Sequence, residues 1–294
     1  MRLTRVRHLR RALTLTLALA AALPLSLSPA SARQKMTADE VVAKHLESIG
    51  PAAARAEILT RIIAGTSKAG FKARNNIGAI EGQLVLASKE NKSVIGMAFP
   101  STDYPSEKFG YDGKKLTVGY LKPGVRSTLG SFLLIHDEVF KEGLMGGALS
   151  TAWPLSNLSE RKAKVEYAGT DKIDGRPVHK LRYSPNRGSE LDVNLFFDAE
   201  TFRHVRTQYN RVTGARLSGG GIDAQAQQRA TRYRMTEDFA DFKKEGPLTF
   251  PHSYKLTLEI ESTTGNSGHT WEMSLSQFAF NEAIDESGFN VEGK

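Results

Sequence analysis

Apolar and polar side chains alternate without interruption along Tyr254-Lys255-Leu256-Thr257-Leu258-Glu259-Ile260. Successive side chains of a β-strand point to opposite faces, so this stretch predicts a strand with one buried face and one solvated face. Two-residue alternation that is broken by turn residues is typical of an antiparallel sheet. The stretch therefore predicts a mainly-β fold.

The same alternation recurs along most of the chain from about Ile62. Turn residues such as Asp174-Gly175 separate neighbouring segments. The spacing favours one extended meandering sheet, curled or sandwiched, in a single domain without internal repeats. About a dozen strands are predicted, near residues 62–73, 79–88, 92–99, 105–111, 115–121, 163–168, 177–184, 190–198, 202–211, 229–240, 250–262 and 269–280.

A short amphipathic helix is predicted at the start of this domain. Thr37 and Glu40 have the spacing of a capping box, and Gly50-Pro51 ends the apolar stripe that follows. His45 lies on that stripe. No second ligand lies at metal-binding spacing, so His45 is interpreted as a packed residue at the edge of the core.

Residues 126–153 lose the alternation and are predicted to be helical. Phe140 and Leu144 are four residues apart and would share a helix face, and Pro154 would end the helix after Trp153. Ordinary core packing is the default interpretation for each large apolar residue of this segment. The sharper hypothesis is a lid over the sheet that lines an apolar ligand cavity. Its candidate ligand-binding residues are Leu129, Phe132, Leu133, Phe140, Leu144, Met145, Leu149 and Trp153.

The positive charge of the chain is concentrated at its N-terminus. The 294 residues carry a formal charge of +8, and five arginines precede residue 12. Without these five, 35 basic residues face 32 acidic ones, so the sequence argues against a nucleic-acid partner. The basic start, an apolar run and Ala30-Ser31-Ala32 predict a signal peptide at residues 1–32. The mature protein, residues 33–294, is expected to be periplasmic.

Sequence motifs of common catalytic sites are absent. No nucleophile elbow, phosphate loop, dinucleotide fingerprint or zinc-protease motif occurs, and the chain has no cysteine. His136-Asp137-Glu138 is the one local cluster that could polarise a nucleophile or hold a metal, but its acids suit the N-terminus of a helix. The prediction is a non-enzyme without a cofactor or metal. A periplasmic hydrolase built around His136 is a weaker alternative.

Seven short segments follow one another along the chain in a recognisable order. They are ADEVVAKHL (38–46), YDGK (111–114), KIDGRPVHKL (172–181), FFDAET (196–201), FADF (239–242), LTFPH (248–252) and NEAIDESGF (281–289). Together they resemble the outer-membrane lipoprotein-sorting family, the LolA/LolB-like periplasmic carriers. The resemblance implies an incomplete antiparallel β-barrel of about eleven strands, with an N-terminal helix and a helical lid over an acyl-chain cavity. It also implies an early-strand arginine that bonds to the lid. Arg61 and Arg74 both remain candidates.

The predicted function is a monomeric periplasmic carrier that binds the acyl chains of lipoproteins or lipids for transfer toward the outer membrane. Transfer partners at the inner and outer membranes would follow from that role. An acyl chain gains about 0.8 kcal/mol per methylene on leaving water, so a carrier must offer a comparable apolar surface and still open for release. The alternative is a module of the same fold that senses envelope lipids or binds a partner protein.

Residues 213–228, with three consecutive glycines, are predicted to be a mobile hairpin tip.

Overall fold

The computed structural model describes residues 36–73, 76–213, 231–262 and 265–292. Two units divide the chain, Met1–Lys35 and Met36–Lys294, and every described residue belongs to the second. The predicted signal peptide lies outside the described residues, as does nearly all of the predicted hairpin tip. Across the described ranges, none of the helices combines the length and the apolar character that a membrane span requires.

Twelve antiparallel strands form one sheet in the described part of the chain. They are β1 (Thr60–Ala73), β2 (Asn76–Lys89), β3 (Lys92–Ala98), β4 (Ser106–Tyr111), β5 (Leu116–Val118), β6 (Lys164–Ile173), β7 (Arg176–Ser184), β8 (Asp192–Asp198), β9 (His204–Thr213), β10 (Thr231–Glu245), β11 (Leu248–Ser262) and β12 (Gly265–Phe280). Their order across the sheet is β5-β4-β3-β2-β1-β12-β11-β10-β9-β8-β7-β6. The predicted mainly-β meander is confirmed, with one strand more than the resemblance implies.

The alternating stretch from Tyr254 to Ile260 lies in β11, and its side chains point to the faces that the alternation predicts. Tyr254, Leu256 and Leu258 are at most 2% exposed and face the core. Lys255 and Glu259 lie on the opposite face, where each faces a residue of opposite charge, Lys255 a glutamate on β12 and Glu259 an arginine on β10. The inner face of the sheet therefore carries the core.

The helices are short. They are α1 (Ala38–Ile49), α2 (Ala52–Glu57), α3 (Thr128–Ile135), α4 (Glu138–Lys141) and α5 (Leu158–Arg161), with 3-10 turns at Gly147–Leu149, Pro154–Ser156 and Glu286–Phe289. The predicted capping box is present in α1, where Thr37 Oγ1 accepts from the Glu40 N–H and the Glu40 carboxylate accepts from the Thr37 N–H. The N-terminal helix is thus confirmed.

Residues 126–153, named the insertion from here on, lie between β5 and β6. They are helical only in part, and the expectation that Phe140 and Leu144 share one helix face is wrong. The helix α4 ends at Lys141, and Gly143 follows with a positive φ angle of 69°, which turns the chain out of the helix. Gly146 and Gly147 also adopt positive φ angles, 78° and 52°, which glycine takes without steric cost, so the chain does not resume α4.

Pro154 also acts differently from the expectation. It opens a 3-10 turn at its first position, where a missing N–H costs nothing, instead of ending a helix. The insertion is therefore a compact series of turns and short helices.

The sheet curls around the insertion. The Phe140 ring lies 6.4 Å from the Phe109 ring of β4, and two residues later Glu142 Oε2 accepts a 2.6 Å hydrogen bond from Tyr183 of β7. Strands β4 and β7 are nine places apart in the sheet, which would separate them by roughly 43 Å if the sheet were flat. The edge strands β5 and β6 do not pair with each other. The predicted incomplete antiparallel barrel is confirmed.

Candidate functional site

All eight candidate residues of the insertion lie inside the curled sheet. None is more than 4% exposed, and all belong to one apolar core cluster with side chains of the strands and of α1. They are Leu129, Phe132, Leu133, Phe140, Leu144, Met145, Leu149 and Trp153. The structure therefore brings the predicted set together between the insertion and the sheet, and their role as a ligand-binding wall stays a prediction.

Within the described part of the chain, small cavities border the insertion. One, between the insertion and strands β2 and β3, is lined by Leu86, Ile95, Met145 and Leu149 among others and has a volume of about 10 Å³. Another has the same volume and lies between α1, Ala148 of the insertion and strands β9 to β11, beside His45. Such a volume holds about one water molecule, so neither cavity has room for an acyl chain.

Arg61 of β1 bonds to the insertion. Its Nη1 donates to the carbonyl oxygens of Ala148 at 2.6 Å and Ser150 at 3.0 Å. The side chain is buried, its guanidinium lies 5.1 Å from the centre of the Phe250 ring, and burial lowers its pKa to about 10. Arg61 therefore makes the contact that the resemblance implies. Arg74, the other candidate, lies outside the described residues.

Glu237 of β10 makes a second polar contact with the insertion. Its Oε2 accepts from the Gly146 N–H at 2.7 Å and from the Tyr254 hydroxyl at 2.7 Å, and Oε1 accepts from the Tyr209 hydroxyl at 2.6 Å. The side chain is fully buried. Burial raises the pKa of this carboxyl group to about 7, although its three hydrogen bonds favour the charged form.

Glu107 of β4 holds the beginning of the insertion in a similar way. The Ser127 hydroxyl donates to Glu107 Oε2 at 2.9 Å and accepts from the Gly130 N–H at 2.8 Å, which caps α3. The Tyr104 hydroxyl donates to Oε1 at 2.5 Å. Burial raises the pKa of Glu107 to about 7. A second buried carboxyl group therefore orders the first turn of α3.

His45 of α1 holds the end of the insertion. The Trp153 indole N–H donates to Nε2 at 3.0 Å, and Nδ1 lies 3.1 Å from the Phe202 carbonyl oxygen. An indole nitrogen only donates and a carbonyl oxygen only accepts, so His45 is the neutral tautomer protonated at Nδ1. Burial lowers its pKa to about 4. His45 is a packed residue, as its position on the stripe predicts.

The two buried glutamates were not singled out from the sequence. Glu237 stands between Met235 and Phe239 at positions that alternation assigns to the buried face, and Glu107 stands in the same way two residues before Phe109. A charged residue in the apolar phase of a strand is the signal that would have found both. It identifies a buried carboxyl group, but not the backbone amide or hydroxyl group that bonds to it.

The cluster His136-Asp137-Glu138 forms the start of α4, which begins at Glu138. His136 is buried beside Phe132, and its Nδ1 lies 3.6 Å from Glu138 Oε1. Within the described ranges, no group of three histidine, aspartate or glutamate side chains is placed to hold a metal ion.

Comparisons with known proteins give matches among solved structures. No protein-family model matches the sequence, and no curated protein matches it. A LolA superfamily protein from Nitrosomonas europaea is 14% identical, with 85% of this chain and 96% of that chain covered and a TM-score of 0.46. A DUF1329 family protein from Desulfovibrio piger is 10% identical, with 86% and 97% covered and a TM-score of 0.46.

A third match is a structure from Vibrio parahaemolyticus described as an outer membrane lipoprotein-sorting protein domain. It is 15% identical, with 86% of this chain and 97% of that chain covered and a TM-score of 0.43. The resemblance that the sequence predicts thus recurs among solved structures. At these identities the likeness is one of fold.

Proposed function

We propose that the mature chain is a periplasmic carrier that binds acyl chains inside the curled sheet, with the insertion as its movable lid. The observation that carries this proposal is the way the insertion is held. Eight large side chains fill the interior of the sheet, while polar contacts from Arg61, Glu107, Glu237 and His45 attach the insertion to the sheet and to α1. An apolar plug that is attached by separate hydrogen bonds, rather than by strand pairing, can be exchanged for another apolar occupant.

The free energy gained by binding an acyl chain is similar in size to the free energy of the polar attachments that the chain would replace. An acyl chain of ~14–16 carbons gains on the order of 10 kcal/mol when it leaves water. A hydrogen bond between protein groups contributes about 1 kcal/mol net, or up to about 3 kcal/mol when one group is charged. Binding of one chain can therefore offset the loss of the polar attachments, provided that the displaced apolar side chains find new cover on the ligand.

The buried titratable groups support binding over catalysis. Glu107, Glu237 and His45 each bond to groups of the chain itself, and burial shifts all three toward their neutral forms. A catalytic acid or base needs a free position within hydrogen-bond reach of a substrate. In the closed lid these groups are occupied by structural hydrogen bonds.

Export and membrane transfer complete the proposal. The signal peptide at residues 1–32 would deliver the protein to the periplasm, where donor and acceptor partners at the two membranes would load and unload it. N-terminal sequencing of the protein recovered from a bacterial periplasm should begin at Arg33. Membrane-bound protein with Met1 intact would contradict export by this route.

Lipid bound to the gently extracted protein tests the carrier function. Native mass spectrometry should show an added mass that resolves into acyl lipid, and fluorescent fatty acid should bind to the delipidated protein. Leu149→Gln should weaken this binding because Leu149 is 2% exposed inside the sheet. Ile135→Gln is the matched control, since Ile135 belongs to the same insertion but is 74% exposed.

Two outcomes would speak against a carrier. Protein that is folded, carries no lipid and binds no fatty acid would contradict the proposal altogether. Protein that binds lipid but never moves it between donor and acceptor vesicles would favour the alternative, a lipid-sensing module.

A further inference from the structure

Arg61 is a buried cation without a matching anion among the described residues. The side chain is 8% exposed. Burial alone lowers its pKa, and no described carboxylate acts in the opposite direction. At pH 8 the guanidinium is still charged, because its pKa remains about 10. An uncompensated buried charge is costly, so its retention inside an apolar sheet requires an explanation.

One donor of this guanidinium is also unused. Nη1 donates to two carbonyl oxygens of the insertion, but Nε is buried and has no hydrogen-bond partner among the residues that the structure describes. A buried donor without a partner is rare in folded proteins and marks strain, function or an unseen ligand. The guanidinium therefore has capacity for an acceptor that the closed form does not supply.

Movement of the insertion would leave more hydrogen-bond donors of the Arg61 guanidinium without a partner. Both carbonyl acceptors, on Ala148 and Ser150, belong to the insertion. If the insertion leaves the sheet, Nη1 loses both acceptors while Arg61 stays on β1 above the Phe250 ring. The opened interior would then hold a charged fork of donors with the geometry that suits a carboxylate or a phosphate.

The cavity next to Arg61 has a polar side and an apolar side. Arg61 pairs with Ser88 across β1 and β2, Ser88 pairs with Ser93 of β3, and both serines line the cavity. The apolar part of its wall on the sheet includes Leu86 and Ile95, and these four side chains would stay in place if the insertion left. Hydroxyl groups near the cation and apolar groups beyond it match a molecule with a polar head and a hydrocarbon tail.

We propose that Arg61 binds the anionic headgroup of a single-chain amphiphile, a carboxylate or a phosphate, while the acyl chain takes the place of the insertion. This inference rests on the proposed function and narrows its cargo from acyl lipids in general to anionic ones. Arg61 would thus exchange the two carbonyl oxygens of the closed lid for the oxygens of the ligand.

Competition among matched twelve-carbon ligands at pH 8 tests the inference. Dodecanoate and dodecyl phosphate carry an anionic head, whereas methyl dodecanoate and dodecanol carry a neutral one, and each displaces a neutral fluorescent acyl probe. The wild-type protein should bind the anions about tenfold more tightly than the neutral ligands. Acetate and inorganic phosphate, which have the head but no chain, should not displace the probe at millimolar concentration.

Variants separate headgroup binding from attachment of the lid. Arg61→Met should bind all four ligands with similar affinity, and Arg61→Lys should keep part of the preference because it keeps the charge. Arg161→Met is the matched control. Arg161 also donates to carbonyl oxygens of the insertion, at 2.7 Å to Ala152 and 3.3 Å to Lys141, so its loss should leave the preference unchanged.

The outcomes distinguish the headgroup site at Arg61 from the proposed carrier function. Equal affinity of the wild-type protein for anionic and neutral ligands overturns the headgroup site and leaves the carrier intact. A full preference in folded Arg61→Met also overturns it. If Arg61→Met does not fold, the Arg61→Lys variant decides. A preference for anionic ligands that is smaller than in the wild-type protein supports the site, and a preference of the same size overturns it. If inorganic phosphate alone displaces the probe, Arg61 belongs to a plain anion site and the headgroup site is overturned. Failure of all four ligands to bind overturns the proposed function itself.

Discussion

Glu237, in the middle of the buried sheet face, accepts the Gly146 N–H of the insertion at 2.7 Å. The carboxyl group also accepts from Tyr209 and Tyr254, and burial, together with the charge of Asp238 on the same strand, raises its pKa to about 7. A group that titrates near neutral pH thus lies at the contact between the insertion and the sheet. The contact between the insertion and the sheet is therefore linked to proton binding.

The first prediction concerns the pH dependence of stability. The Glu237 carboxyl group releases its proton near its ordinary pKa of 4.5 in the unfolded chain and near 7 in the folded protein. The folded state binds more protons between these values, so the contribution of Glu237 to stability is complete below pH 4.5 and is lost as the pH rises through 7. The share of Glu237 is roughly 3 kcal/mol at most.

Replacement of Glu237 by glutamine should remove this share. Urea unfolding of Glu237→Gln from pH 4.5 to 7.5 should show a shallower fall in the free energy of unfolding than in the wild-type protein. Glu107 should still contribute, because burial raises its pKa to about 7 as well. Glu259→Gln, an exposed change on β11, serves as the control. An unchanged slope in Glu237→Gln would show that this carboxyl group does not titrate in the window.

The second prediction concerns the hydrogen bond between Trp153 and His45. Trp153→Phe keeps an aromatic ring but removes the donor to His45 Nε2, so it should lower the free energy of unfolding by about 1–3 kcal/mol. In the wild-type protein, nitrogen-15 NMR at pH 6 should show neutral His45 with its proton on Nδ1. A charged ring at that pH would contradict the low pKa.

The third prediction compares two helix caps. Ser127→Ala removes the cap of α3 and also leaves Glu107 Oε2 without its donor, so it should cost about 2 kcal/mol or more. Thr37→Ala removes only the cap of the exposed start of α1 and should cost about 1 kcal/mol. Equal losses in thermal or urea unfolding would mean that Glu107 contributes nothing to the start of the insertion.

The strands were predictable because the sheet has one buried face. Every strand of the described chain lies within a few residues of a segment where alternation predicts one, as β11 illustrates with Tyr254, Leu256 and Leu258. The position of the insertion was predictable for the same reason, since alternation stops at about residue 126.

The internal structure of the insertion was not predictable from periodicity. Phe140 and Leu144 have helical spacing, but the backbone reverses at Gly143, where a Cβ would lie 2.0 Å from the Ala152 carbonyl oxygen. That close approach depends on tertiary packing. The contacts that Arg61 and Glu237 make with the insertion join residues 87 or more positions apart, and local sequence does not specify such pairs.

The fourth prediction separates the insertion from the permanent core. Leu144 of the insertion and Leu195 of β8 are both 0% exposed. Leu195→Ala should cost about 2–5 kcal/mol, as expected for a buried leucine in a fixed core. Leu144→Ala should cost less, because a lid that opens without global unfolding limits the loss to its own opening free energy. An equal or larger loss for Leu144→Ala would place that residue in the permanent core.

Hydrogen exchange of the insertion tests the central claim most directly. The measurement compares amides of residues 126–153 with those of β11, for the free protein and for the protein saturated with dodecanoate. A movable lid should exchange faster than β11 in the free protein, and bound ligand should change the ratio of the two rates by about tenfold or more. Bound ligand also slows exchange that occurs through global unfolding, so β11 alone reports that general stabilisation. If the protein binds the ligand but both regions exchange only by global unfolding and slow by the same factor, the insertion is not a lid.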